Sequence, residues 1–403
     1  MFSLFGKKEE AATKTIAILD IGSGSVGCAL ILLDRKGPPS ILAHTREEAH
    51  LESGRTGEKL QSTILASAKK ALETIAKSAH KSPKGKDGYI EHLAIFLPAP
   101  WSTLFLRNIR LAREMPVHVT PALIEGMVAD YVKRERPDEN TEVVIERSAV
   151  GIRLNGYGVN DLPNDVSAST VELSIVSATS SKTFIGNLRD IARPILGGHV
   201  PLSFHSTPVA ATYALSTLFP ETPDYILCNS EGELTELLLV LEHTPSAAAT
   251  STAACNTILR TVSVHADMAR AEANSALALA RDARSPMSAK LEKTLASAQR
   301  ECADGFRAAA TELIASFSPP RTIYVIGEGQ SAQWYAESLA HAPFLKSLFP
   351  LGVAVDNVQY STLAKNIKQS GGSSDVFLAL EAIYTDARFD ERRTFNFRVE
   401  KGH

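Results

Sequence analysis

A strand–turn–strand unit occurs twice in this 403-residue chain, at residues 16–33 and 225–241. In the first, Ile16-Ala17-Ile18-Leu19 runs into the turn Gly22-Ser23-Gly24-Ser25, and a nearly continuous apolar stretch follows over 26–33. In the second, 225–227 leads to Asn229-Ser230-Glu231-Gly232-Glu233 and then to the apolar run 234–241. Each turn opens on Asp or Asn and holds hydroxyl side chains. Strands that are apolar on both faces belong in the middle of a sheet covered by helices on each side. Two such hairpins, one opening each half, predict two lobes of related α/β build.

The segments between them fill in that frame. Leu60, Ile64, Ala68, Leu72 and Ile75 recur at helical spacing and predict a helix over 57–80. A Pro/Gly/Lys linker follows at 81–88, then an apolar strand at 93–97. Residues 101–177 change character. A half-exposed strand over 103–113 precedes a helix with Thr120 as N-cap and Pro121 at its first position. Strands over 142–152 and 170–178 flank a turn-rich connection at 155–165. This order predicts a small inserted α+β unit. Beyond it, helices are expected over 181–191 and 208–218, a strand-like segment over 251–264, and long helical stretches over 265–283 and 286–316. A strand at 322–326 enters Gly327-Glu328-Gly329, and helices follow at 331–340 and 375–385. The expected division is a first lobe (1–91 and 178–215), an inserted module (92–177), a second lobe (216–244 and 321–390) with a helical subdomain (245–320), and a polar tail (391–403).

Composition removes several classes. A formal net charge of −3 gives no electrostatic reason to expect nucleic-acid binding. No apolar run reaches the ~18–20 residues of a membrane-spanning helix, and Met1 to Lys8 lacks the apolar stretch of a signal peptide. Cys28, Cys228, Cys255 and Cys302 share no metal-ligand spacing and read as reduced, buried thiols. No HExxH, GxSxG or P-loop pattern is present.

The chemistry sits in the paired turns. Glycine lets backbone N–H groups approach a phosphate, and hydroxyls add donors. An Asp at a strand end can hold hydrated Mg²⁺. Leu19-Asp20-Ile21-Gly22-Ser23-Gly24-Ser25-Val26 resembles the first phosphate motif of the actin-like ATPase superfamily, FtsA/PilM branch, and the opening Met1-Phe2-Ser3-Leu4-Phe5-Gly6-Lys7-Lys8 is similar to PilM proteins. Thr207-Pro208-Val209-Ala210-Ala211 resembles that family's connecting helix, Ala271-Glu272 its nucleoside-side pair, and Ile326-Gly327-Glu328-Gly329 its adenosine turn. The chain length and the connection at 155–165 look more like FtsA.

The resemblance implies an α/β, two-lobed actin-like fold (ribonuclease H-like, duplicated) with an inserted small α+β subdomain. It implies ATP and Mg²⁺ between the lobes. Asp20, Gly22, Ser23, Gly24, Ser25, Asn229, Gly232 and Thr235 would face the phosphates. Glu272, Gly327 and Gly329 would lie near the nucleoside, and Asp20 would organise the metal through water. It also implies a bacterial cytoplasmic scaffold for cell division or pilus assembly. Such a scaffold recruits a division-ring protein or the cytoplasmic tail of a membrane protein through its 92–177 module, and reaches the inner face of the membrane through that partner. Self-association into a homo-oligomer or filament stays open, as does the choice between division and pilus or secretion machinery.

The departures temper the nucleotide reading. Where the family has Asp-x-Gly-Gly-Gly-Thr-Thr, this chain has Asn229-Ser230-Glu231-Gly232-Glu233-Leu234-Thr235. Two glutamates beside a triphosphate repel it unless a cation intervenes. Thr207 and Ser275 stand where relatives carry an acid or Gln and a Lys. At most a weak ATPase is expected. Two alternatives stand beside it: a pseudo-ATPase kept as an interaction platform, and a small-molecule kinase of the same superfamily with Glu231 or Glu233 as base. Plainer roles stay open as well. Asp20 caps a hairpin, Asn229 and Thr235 close a turn, Glu272 is a solvated helix residue, and Gly327 and Gly329 form a strand-to-helix turn.

Overall fold

The computed structural model describes residues 13–35, 37–49, 57–79, 89–134, 138, 140–159, 165–280, 288–327, 329–369 and 375–389. The N-terminal start, the 81–88 linker and the 391–403 tail lie outside them. The chain begins β1 (Thr13–Ile21), β2 (Ser25–Asp34), β3 (Ser40–Glu48), α1 (Gly57–Ala79) and β4 (His92–Leu97). Then come β5 (Ser102–His118), α2 (Pro121–Arg134), β6 (Glu142–Leu154), β7 (Tyr157–Val159), β8 (Ser167–Ser181), α3 (Lys182–Leu196), β9 (Leu202–Ser206) and α4 (Thr207–Leu218). The second half runs β10 (Tyr225–Ser230), β11 (Thr235–Leu241), β12 (Thr244–Ser251), α5 (Cys255–Ala266), α6 (Arg270–Ala280), α7 (Ala289–Leu313), β13 (Thr322–Gly327) and α8 (Gly329–Ala340). It ends α9 (Leu345–Leu348), β14 (Ala354–Asn357), α10 (Tyr360–Leu363), β15 (Lys368–Gln369) and α11 (Val376–Phe389).

The two hairpins head two sheets of the same plan. One has the order β15-β3-β2-β1-β4-β9 and the other β12-β11-β10-β13-β14. In each, three antiparallel strands are followed by two parallel ones, and in the first β15 adds a sixth strand parallel to β3. Alternation along β1 sends Ile16 and Ile18 to one face and Ala17, Leu19 and Ile21 to the other, and both faces are buried. Helices α1 and α3 cover the outer face of the first sheet. Helices α5 to α8 cover the outer face of the second. Between the sheets lie α4 and α11, whose Ala210, Ala214, Leu378 and Ala382 join the inner faces in one core. A third sheet, β5-β8-β6-β7, carries α2 on one face.

The structure redraws several boundaries. Strand β4 belongs to the first sheet, so the inserted sheet starts at Ser102. Strand β12 is the edge of the second sheet, and the helical layer begins after it. The chain returns to the first sheet before it ends, since β15 pairs with β3. The segment expected to be strand-like at 251–264 is mostly helix α5. Its β-branched content favours a strand, but Ile258, Leu259 and Val262 share one helical face and are buried in the core that α5 forms with α6, α7 and α8. Helix α2 starts as expected: the Leu123 N–H donates to Thr120 Oγ1 at 3.2 Å. The four cysteines are buried and form no disulfide with one another.

Candidate functional site

The carboxyl end of β1 and the turn before β2 bring Asp20, Gly22, Ser23, Gly24 and Ser25 together. Facing them is the turn between β10 and β11. The two turns touch. The Ser23 N–H donates to Glu231 Oε2 at 3.2 Å, and the Glu233 N–H donates to Ser23 Oγ at 2.9 Å. Gly24 and Gly232 pack backbone against backbone: a Cβ on Gly232 would lie 2.4 Å from Gly24 Cα. A Cβ on Gly22 would lie 2.6 Å from Glu231 Oε2, so the glutamate covers this glycine closely.

Asp20 is 1% exposed and ion-paired, Arg46 Nη2 to Oδ2, at 2.8 Å. The guanidinium comes from β3. Its Nη1 donates to Ser25 Oγ at 2.9 Å, and its Nε and Nη2 donate to the two oxygens of Asp375 at 2.9 and 3.0 Å. Asp375 also accepts the Leu378 N–H at 3.0 Å, capping α11. Glu381 of α11 is buried beside Asp20. Asp20 Oδ1 and both Glu381 oxygens lack N–H donors among the described residues. Burial, then the charge of Asp20, pushes Glu231 and Glu381 well above the usual carboxylate range.

The remaining expected residues are placed as follows. Asn229 is buried and donates through Nδ2 to Glu236 Oε2 at 3.3 Å. Thr235 donates to the Ala253 carbonyl at 2.9 Å, which ties the start of β11 to the segment between β12 and α5. The Gly232 carbonyl accepts the Asn256 N–H at 2.8 Å. Glu233 turns away from Asp20 and pairs with Arg260 at 2.7 Å and with Asn256 Nδ2 at 2.7 Å. Glu272 is exposed and accepts the Ala269 N–H at the start of α6, which makes it a helix cap. Gly327 ends β13, where a Cβ would meet Ala332 and the Ser230 carbonyl at 2.7 and 2.8 Å. Gly329 opens α8 with φ +66°.

A triphosphate with its cation does not fit these residues as arranged. The Ser23 N–H and hydroxyl, the expected phosphate donors, face the second turn. Glycine backbones occupy the space between the turns. The neighbouring acidic groups are Asp20, Glu231 and Glu381, and the guanidinium among them, Arg46, already donates to Asp20, Ser25 and Asp375, so it is not turned to an added anion.

Arg46, Asp375 and Glu381 were not anticipated from the sequence. The last carried a signal, a lone carboxylate in the apolar run of α11. Arg46 carried none, because its partners lie on β1 and, more than three hundred positions away, at the start of α11.

No family model matches the chain, and no curated protein matches it. Solved structures do. The PilM–PilN type IV pilus biogenesis complex aligns at 15% identity over 93% of this chain and 98% of that one, with a TM-score of 0.60. The ethanolamine utilization protein EutJ from Carboxydothermus hydrogenoformans aligns at 10% identity over 94% and 90%, with a TM-score of 0.45. A Bacteroides thetaiotaomicron protein with an actin-like ATPase fold aligns at 8% identity over 93% and 96%, with a TM-score of 0.36. The PilM match and the duplicated sheet plan together show the fold: this chain has the two-lobed actin-like ATPase fold, as the resemblance implied.

Proposed function

We propose that this chain is an actin-like docking scaffold whose lobes are held together by its own side chains in place of a nucleotide. The observation that carries this reading is the contact of the two turns, with Glu231 on the Ser23 N–H where a phosphate oxygen would be bound. The insertion supports the same closed arrangement. Arg153 of β6 pairs with Glu242, beyond β11, at 2.7 Å.

PilM is seen in a complex with PilN. By likeness, the partner here is a segment of another protein, and the four-stranded sheet is the part that takes it. Strand β5 is an edge of that sheet, and Phe105 and Met115 on it are exposed, a surface suited to strand addition. Among the described residues no helix is long and apolar enough to cross a membrane. A role at the inner face of the cell membrane then runs through the partner.

The rival nucleotide-binding reading draws on the gathering of Asp20 and residues 22–25 on one turn, and it requires Glu231 to leave. The kinase reading is weaker, since Glu231 is engaged with Ser23 and Glu233 with Arg260. Thermal unfolding with ATP, ADP or a non-hydrolysable analogue, with and without Mg²⁺, tests the proposal. No shift up to millimolar nucleotide is expected. A shift that disappears in Asp20→Ala overturns it.

A further inference from the structure

Asp20, Gly27 and Arg46 form a row across three strands: Asp20 is opposite Gly27 in β1 and β2, and Gly27 is opposite Arg46 in β2 and β3. Gly27 leaves the lane between them open. A Cβ there would lie 2.6 Å from Arg46 Nη2 and 2.9 Å from its Cζ. The guanidinium crosses this lane and lands on Asp20 Oδ2 at 2.8 Å. It is fixed from three more sides: two nitrogens on Asp375, one on Ser25 Oγ, and the Phe377 ring 5.8 Å from its Cζ. The planar fork of arginine suits this many-sided geometry, whereas an ammonium would act as a single point charge.

We propose that Arg46 is a built-in cation that takes the place of a divalent metal ion beside Asp20, so that the first turn is complete without metal. This deepens the reading of the closed cleft and rests on it. A carboxylate that would otherwise organise hydrated Mg²⁺ already has its counter-charge, delivered through covalent structure at no cost in ion binding. The same guanidinium ties the turn to Asp375 at the start of α11. Helix α11 and the first turn are thereby held as one unit. Removing the guanidinium leaves the Asp20 and Asp375 carboxylates, both of which it bridges, facing each other without their shared cation, with the Glu231 and Glu381 carboxyls buried beside them, a setting that attracts a divalent ion.

The test uses Mn²⁺ alone, without nucleotide, so its outcome is separate from that of the nucleotide experiment. Mn²⁺ binding is followed by electron paramagnetic resonance on the full chain, with melting temperature read in parallel. The wild type is expected to bind no Mn²⁺ up to millimolar and to melt at the same temperature with or without it. Arg46→Gln is expected to melt several degrees lower, to gain one Mn²⁺ site, and to recover part of the lost melting temperature when Mn²⁺ is added. Adding Asp20→Asn to it abolishes that site. Arg46→Lys keeps the charge and is expected to stay metal-free. Mn²⁺ binding to the wild type that is lost in Asp20→Asn overturns the proposal, and so does a folded Arg46→Gln that binds no Mn²⁺. If Arg46→Gln does not fold, the wild-type and Arg46→Lys measurements decide: metal binding by either one overturns it.

Discussion

The Ser23 N–H on the first turn donates to Glu231 Oε2 on the second, 3.2 Å away, across 208 positions of sequence. A buried N–H that loses its acceptor costs about 1–3 kcal/mol. Glu231→Gly removes that acceptor and is expected to speed amide exchange at 22–25 and 230–233, with the sheet cores unaffected. Unchanged exchange at Ser23 would show that the two turns are held by something else.

Gly232 lies against Gly24, and a methyl group at 232 has backbone, not a movable side chain, 2.4 Å away. Gly232→Ala is expected to destabilise by about 1–3 kcal/mol, as overpacking does, and to separate the lobes, read as a larger radius of gyration in X-ray scattering. Gly329→Ala is the control. It sits at φ +66° with open space around its Cβ position. It should cost about 1 kcal/mol through backbone strain and leave the radius of gyration unchanged.

The frame of this fold is legible in the sequence because it is written in local pattern. Hairpins with apolar strands and polar turns announced both sheets, and the shared order of their strands follows from the repeat. The cap at Thr120 was read from two adjacent residues. Thr257, Ile258, Thr261, Val262 and Val264 carry strand propensity, which points away from helix α5, and the helical face formed by Ile258, Leu259 and Val262 becomes decisive only once α6, α7 and α8 cover it. At the site, sequence placed two glutamates near the phosphate position but could not tell their fates apart. Glu231 turns onto Ser23, and Glu233 turns onto Arg260 and Asn256. The Arg46 lane depends on register across three strands and on a helix from the far end of the chain, and no local periodicity encodes either.

Glu236 is buried beside Asn229, and burial pushes its carboxyl up to about 7, against the pull of hydrogen bonds from the Ala99 backbone and the Asn229 side chain. A carboxyl whose folded value lies above its unfolded value near 4.5 binds protons more tightly in the native state. Its contribution is therefore full below about pH 4.5 and is lost as pH rises toward 7. The shift corresponds to roughly 3 kcal/mol. Glu236→Gln keeps an oxygen for Asn229 and removes the titration. It is expected to flatten urea-unfolding stability between pH 5 and 7 and to exceed the wild type at pH 8. A variant with the wild-type slope would assign that slope to another group.

Glu146 has the opposite sign. It comes from β6 of the inserted sheet and joins β9 and α11: the Tyr384 hydroxyl donates to Oε1 at 2.5 Å and the Ser206 N–H to Oε2 at 2.9 Å. Arg388 Nη2 lies 3.6 Å away and His205 Nδ1 3.9 Å. Burial alone would raise this carboxyl. His205, Arg388 and the Ser206 N–H together outweigh it and hold the carboxyl at about 2. A depressed value means stability that is present above the unfolded pKa near 4.5 and lost as pH falls toward 2. Its size is roughly 3 kcal/mol. Glu146→Gln keeps an acceptor for Tyr384 or Ser206 but removes the charge facing Arg388. It is expected to lose about that amount at pH 7 and to lose the acid limb between pH 5 and 2. Glu146→Ala strands Arg388 in the interior and should cost more, on the order of 3–5 kcal/mol. If the acid limb of the unfolding curve survives in Glu146→Gln, the joint between the insertion and α11 does not rest on this charge.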